Sequence, residues 1–246
     1  MKIDVILTPG DEKNEEKIHP GVIVVAVDVL RVSTTIATAV ENGASSIYPT
    51  FTVQEAFDRR KELIENGIPP NDILLGGERE SLLIPGFDMG NSPLEYSKDK
   101  INGKILILSS TNGTKAIKRS GNAFRIITGC IRNAGAVAEY LTSADRDVVF
   151  YLSGRIGEFS LEDAVGAGVI IGKIQAPETA VYSDSALVCM DSAEKYSSDL
   201  VGMFKKTFHG KYLESLGLGR DLEFCAEMDR SSVVPVVSGD ALIKKA

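Results

Sequence analysis

The sequence predicts an α/β fold, a three-layer α/β/α sandwich built on a largely parallel sheet. Three observations carry that expectation. Continuous aliphatic runs recur along the chain, amphipathic helical stretches alternate with them, and turns rich in hydroxyls or glycine separate the two. At 246 residues the chain is long enough to bury roughly 70–75% of its unfolded surface without a metal or disulfide staple. We read one domain over residues 1–246, with a possible lobe seam near 175–185, where "QAPETAVYSD" interrupts the pattern. Two intertwined lobes are an admissible variant of that architecture.

The elements follow in order. "KIDVIL" (2–7) opens as a strand, and "VIVVAV" (22–27) is a run with no polar position, as expected where both sheet faces are covered. "SIYP" (46–49) follows. "TVQEAFDRRKELIENG" (52–67) places Val53, Ala56, Phe57, Leu63 and Ile64 on one helical face, with Gly67 as its stop. "DILLG" (72–76), "KILILS" (104–109), "FRIIT" (124–128) and "DVVFYLS" (147–153) read as further strands. "NAGAVAEYLTS" (133–143) and "SLEDAVGAGVIIGKI" (160–174) read as helices, and Ser160 with Asp163 three residues on forms an N-cap signal. Residues from about 184 to 217 read as helical, and "VVPVV" (233–237) is a short apolar run.

Composition excludes several classes. Hydrophobic residues make up 43% and charged residues 25%, as in ordinary globular proteins. Cys130, Cys189 and Cys225 form no CxxC, and with His19 and His209 as the two histidines no Cys/His zinc pattern exists. The amino-terminal stretch lacks the apolar core of a signal peptide, and no apolar run reaches a membrane span. A cytoplasmic protein with reduced thiols is expected. A net charge of −7 without a basic cluster argues against nucleic acid or a membrane surface as partner. It leaves room for a small anion held by a few arginines, and it admits a homodimer.

Four turns concentrate polar groups where strands lead into helices, the usual ligand position in an open α/β sheet. "DVLRVSTT" (28–35) brings Asp28, Arg31, Ser33, Thr34 and Thr35 directly after the most apolar strand. "SSTNGTK" (109–115) offers Ser110, Thr111, Asn112 and Gly113 as an anion nest, or simply an Asn-Gly turn. "GGERESLLIPGFDMGNSPLEY" (76–96) carries Glu78, Arg79, Asp88, Asn91 and Ser92 in a long segment without periodicity. "SGRIGEFSLEDA" (153–164) carries Arg155, Glu158, Glu162 and Asp163. No P-loop, GxGxxG or GxSxG motif is present. Carboxylates, arginines and hydroxyls without an evident His, Cys or Ser nucleophile select a hard cation, most simply Mg²⁺, acting on a small phosphorylated anion.

Together these motifs, with "DLEFCAEMDRSSVVPVV" near the carboxyl end, resemble the 2-phosphosulfolactate phosphatase (ComB) family over nearly the whole chain. The resemblance implies that family's α/β/α fold. It also implies Mg²⁺-dependent hydrolysis of (2R)-2-phospho-3-sulfolactate to 3-sulfolactate and phosphate, a step of coenzyme M biosynthesis. Such a substrate carries phosphate, carboxylate and sulfonate groups, which gives Arg31, Arg79 and Arg155 a rationale as oxyanion readers.

On this reading Asp28, Glu78 and Asp163 hold the metal, with Asp88 in reserve. Ser33, Thr34, Asn91, Ser110, Thr111, Asn112 and Gly113 surround the substrate, and Glu158 is the candidate general base. Asp28 as a nucleophile forming an aspartyl-phosphate is an alternative mechanism. The alternative functions are a phosphatase of another phosphorylated hydroxy acid, a non-catalytic phosphate or sulfonate binder, and a lyase or isomerase working through a Mg²⁺-enolate.

Overall fold

The computed structural model describes residues 1–10, 15–110, 116–117, 119–239 and the backbone of 241–244. Every aliphatic run expected as a strand forms one. The chain begins with β1 (Lys2–Ile6), β2 (Ile23–Val27), α1 (Val32–Glu41), β3 (Ser46–Thr50) and α2 (Val53–Glu65). It continues through β4 (Ile73–Arg79), β5 (Leu82–Leu83), α3 (Lys98–Ile101), β6 (Ile105–Ser109) and β7 (Arg125–Gly129). Next come α4 (Ala134–Ala144), β8 (Val148–Leu152), α5 (Leu161–Ile171), β9 (Val181–Tyr182) and α6 (Asp184–Tyr196). It closes with α7 (Leu200–Phe204), α8 (Phe208–Ser215), α9 (Gly219–Cys225), β10 (Pro235–Ser238) and β11 (Ala241–Lys244).

Local chemistry sets several of these boundaries. Thr52 accepts a hydrogen bond from the Glu55 N–H to cap α2, and Ser160 caps α5 through the Asp163 N–H, as its sequence position predicts. The N-cap position of α1 is Arg31, which makes no side-chain cap. That helix therefore begins inside the turn that carries the charges.

The strands form one eleven-stranded sheet in the order β5-β4-β6-β3-β11-β10-β7-β2-β8-β1-β9. β4, β6 and β3 are parallel neighbours, as are β7, β2, β8, β1 and β9. The hairpin β10–β11 lies between the two parallel blocks and runs antiparallel to both β7 and β3. The sequence signal for this closure is the short run at 233–237 alone; β5, β9 and β11 are too short or too polar to announce themselves. Residues 175–185 contribute β9, which pairs with β1.

Helices cover both faces, which is why β2, β6 and β8 are almost wholly apolar. Ile23, Val25 and Val27 pack with α4, α5 and the carboxyl-terminal helices, while Val24 and Ala26 pack with α1. α2 covers Ile73, Leu75 and Ile107. β2 sits between β7 and β8, and all five of its residues are buried. Its carboxyl end therefore emerges in the interior of the structure.

α5 and α6 pack at Gly168, where a Cβ would overlap the Cys189 carbonyl. Alanine is the better helix former by about 1 kcal/mol, but the clash is with backbone. We expect Gly168→Ala to lower stability by about 2 kcal/mol, read as a reduced midpoint in urea or thermal unfolding. An unchanged or raised midpoint would contradict this packing.

Candidate active site

The turn after β2 is buried, so its peptide groups need partners. Ser33 Oγ donates to the Asp28 carbonyl at 2.6 Å and accepts from the Asp28 N–H at 3.1 Å. Thr34 Oγ1 donates to the Val29 carbonyl at 2.9 Å. One Asp28 carboxylate oxygen accepts from the Val32 N–H at 3.2 Å. Asp163, on α5, accepts from the Val29 N–H at 2.8 Å and the Gly154 N–H at 3.1 Å, tying the exit of β2 to that of β8. The Leu30–Arg31 peptide is cis. Arg31 donates to Asp221 at 2.7 Å and to the Ser81 carbonyl at 3.0 Å.

A cavity of about 340 Å³ opens onto this turn. Asp28, Leu30, Arg31 and Val32 form one wall; Glu78, Glu80 and Ser81 form a second. Asn91, Arg155, Ile156, His209 and Tyr212 complete it. The Asn91 Oδ1 is buried without a hydrogen-bond partner. Arg155 stands on a tight turn whose backbone bridge runs to Glu158, and its guanidinium lies 4.2 Å from the centre of the exposed Phe208 ring. A larger cavity, of about 510 Å³ beside Tyr48, Thr50 and Glu55, holds none of the residues singled out from sequence. The smaller cavity is therefore the candidate.

The electrostatics are those of crowded acids. Burial raises the Asp28 carboxyl to about 7, helped by the nearby charges of Glu78 and Glu162 and opposed by the Val32 N–H and Arg31. Asp163 is raised by burial and then by Asp28 and Glu162, so Asp28 and Asp163 resist ionising together. Burial, with Arg31 and Arg155, pushes the His209 imidazole down to about 4, leaving it neutral at physiological pH.

Five sequence candidates therefore meet in the cavity: Asp28, Arg31, Glu78, Asn91 and Arg155. Others lie elsewhere. Ser33 and Thr34 spend their hydroxyls on the β2 turn, and both oxygens of Asp163 are taken by backbone N–H groups. Arg79 clamps the carbonyls of Glu78 and Phe51 and the Ser109 hydroxyl, outside the cavity. Asp88 is exposed and accepts from the Leu75 N–H; Glu158 is exposed on its turn. Among the described residues no group of three or more His, Cys, Asp or Glu side chains is arranged to hold a metal ion, so the expected cage of Asp28, Glu78, Asp163 and Asp88 is not assembled. Ser110 is buried just beyond β6, and Thr111, Asn112, Gly113 and Lys115 lie outside the described residues. Cys130 is fully buried and bonded to Asn133.

His209 and Tyr212 were not legible as site residues. They sit one turn apart on α8, in a stretch whose sequence reads as an ordinary helix.

Asp28 gives a signed pH dependence. A carboxyl held above its unfolded value binds more protons folded than unfolded between 3.8 and about 7. Its ionisation thus erodes stability as pH rises through that window, and the loss is complete above it. In chelator-treated protein we expect Asp28→Asn to be more stabilising, relative to wild type, at pH 8 than at pH 4. Denaturant titrations giving a pH-independent difference would remove the assigned burial of that charge.

The 2-phosphosulpholactate phosphatase family model matches residues 6–240. A probable 2-phosphosulfolactate phosphatase of Carboxydothermus hydrogenoformans is 44% identical over 235 residues, 96% of this chain and 92% of that protein. One of Clostridium acetobutylicum is 39% identical over 235 residues, 96% of this chain and 97% of that protein. One of Clostridium perfringens is 40% identical over 226 residues, 92% of this chain and 89% of that protein. With an acid–arginine cavity at the end of β2 and likeness along nearly its whole length, the chain belongs to the 2-phosphosulpholactate phosphatase family.

Proposed function

We propose that this chain hydrolyses (2R)-2-phospho-3-sulfolactate to 3-sulfolactate and phosphate with Mg²⁺ as cofactor, serving coenzyme M biosynthesis. The observation that carries the reading is one cavity in which Asp28 and Glu78 face the same space as Arg31 and Arg155. A pure anion binder has little use for two carboxylates there, because each repels its ligand. A phosphatase has use for both signs.

The donor set fits Mg²⁺. This cation keeps several waters and is held by one or two carboxylates together with substrate phosphate. Asp28 and Glu78 supply that number, while Asp163 supports the loop that presents Asp28. Bound there, Mg²⁺ would neutralise charge on a phosphoryl oxygen and lower the pKa of its own water.

The chain's own residues do the rest. Phosphate ester hydrolysis gains chiefly from positioning and charge neutralisation. A water oxygen joins phosphorus, the ester P–O bond breaks, and the sulfolactate oxygen leaves with a proton as its alcohol. Arg31, fixed by its two bonds, presents an immobile positive edge to the cavity. Arg155, half-buried at the mouth and stacked on Phe208, is placed to exchange that ring for a substrate sulfonate or carboxylate. Neutral His209 adds no competing positive charge. Leu30 and Ile156 give the cavity apolar wall, which strengthens the interactions inside it.

A phosphate-release screen over phosphosulfolactate, 2-phospholactate and other phosphorylated hydroxy acids, with and without Mg²⁺, tests the reading. Release from phosphosulfolactate should be highest, vanish with EDTA and return with Mg²⁺. Tight binding without release would make the protein a binder, and a rearranged carbon skeleton would make it a lyase or isomerase.

Two variants sharpen the test. Asp28→Asn should cut kcat at least about 10³-fold while the fold survives, since it removes a charge acting on the transition state. Arg155→Lys should reduce kcat/KM for phosphosulfolactate more than for 2-phospholactate, by about tenfold, because a bidentate oxyanion contact is lost. Equal losses on the two substrates would take Arg155 out of sulfonate recognition.

A further inference from the structure

Three walls of the cavity meet at one carboxylate that does not itself line it. Asp221 on α9 is 2% exposed, and both its oxygens are engaged. One accepts from Arg31 Nη1 at 2.7 Å and the other from Ser92 Oγ at 2.6 Å. Arg31 passes the connection on by donating to the Ser81 carbonyl at 3.0 Å, and the Ser81 N–H donates to Glu78 at 2.8 Å. Ser92 is the neighbour of Asn91, whose carbonyl accepts from Thr35 Oγ1 at 2.9 Å while its side chain faces the cavity. The bonds thus join the β2 turn, the β4–β5 turn and the 91–92 segment through a residue 190 positions from Arg31 and 129 from Ser92.

We propose that Asp221 is a positioning residue for the anion-binding wall of the cavity, holding Arg31 and the Asn91–Ser92 segment in register with Glu78. The proposal rests on the reading of this cavity as a site for an anionic phosphate ester. A guanidinium as buried as Arg31 is costly unless paired, and the pairing geometry decides where its remaining N–H groups point. Asp221 does not line the cavity and each of its oxygens already accepts a hydrogen bond, so its effect reaches substrate through Arg31 and Asn91. This gives the motif beginning "DLEFC" near the carboxyl end a role in the site, although its residues lie outside the cavity lining.

Asp221→Asn tests it. The amide keeps one oxygen, enough for Arg31 or Ser92 but not both, and removes the negative charge that pairs with the buried guanidinium. Two readouts are taken beside thermal unfolding and circular dichroism: KM for phosphosulfolactate, and Kd for inorganic phosphate by calorimetry. We expect both to rise at least about tenfold, with kcat falling less, the loss expected when the counter-charge of a buried guanidinium is removed. Asp221→Glu restores the charge and should recover part of the affinity. Ser92→Ala, which leaves the ion pair in place, should raise both constants by less and keeps the test alive if Asp221→Asn does not fold.

A merely structural Asp221 would instead lower kcat in proportion to folded protein and leave KM and Kd at wild-type values; that result overturns the proposal. If wild type binds phosphate but releases none from the ester, the catalytic reading fails while the phosphate constants still decide the role of Asp221. A wild-type cavity that binds neither ligand overturns both.

Discussion

A backbone that turns inside a protein must find partners for its own N–H and C=O groups, and the rest of this site is arranged around that requirement. β2 lies between two parallel neighbours, and residues 28–35 that follow it are buried apart from the side that faces the cavity. Ser33, Thr34, Asp28 and, from α5, Asp163 answer that need. Having done so, they fix where the Asp28 carboxylate and the Arg31 guanidinium stand. The hydroxyls build the loop, and the charges face the cavity.

The same constraint explains what was legible in the sequence. Strands such as 22–27 and 148–152 announce themselves because coverage on both faces leaves them almost wholly apolar. Asp28, Arg31, Glu78, Asn91 and Arg155 could be found because charges and amides following such strands are costly without a purpose. Ser33, Thr34 and Arg79 looked equally suitable. Nothing in their spacing distinguishes a hydroxyl aimed at a ligand from one bonded to its own turn, or a guanidinium reading oxyanions from one clamping carbonyls. His209 and Tyr212 stayed hidden for another reason: their helix is joined to the site by tertiary packing, which local periodicity does not encode.

An acidic chain carrying a net charge of −7 can hold a site for anions because the relevant fields are local. Around the cavity, Arg31 is balanced by Asp221 and Asp28 is crowded by Glu78 and Glu162, so neither sign dominates at rest. Such a site is poised rather than relaxed. Its acids favour a cation, its arginines favour an anion, and a metal–phosphate unit would satisfy both at once.

The hairpin β10–β11 has a consequence for how the molecule is made. Until residues 235–244 take their place, β3 and β7 each present an unpaired edge, and the two parallel blocks have no strand between them. A nascent chain still short of that point would carry two adhesive sheet borders. The hairpin that seals them is also made after every other described strand of the sheet, which makes the interval before its arrival the time of greatest exposure to self-association.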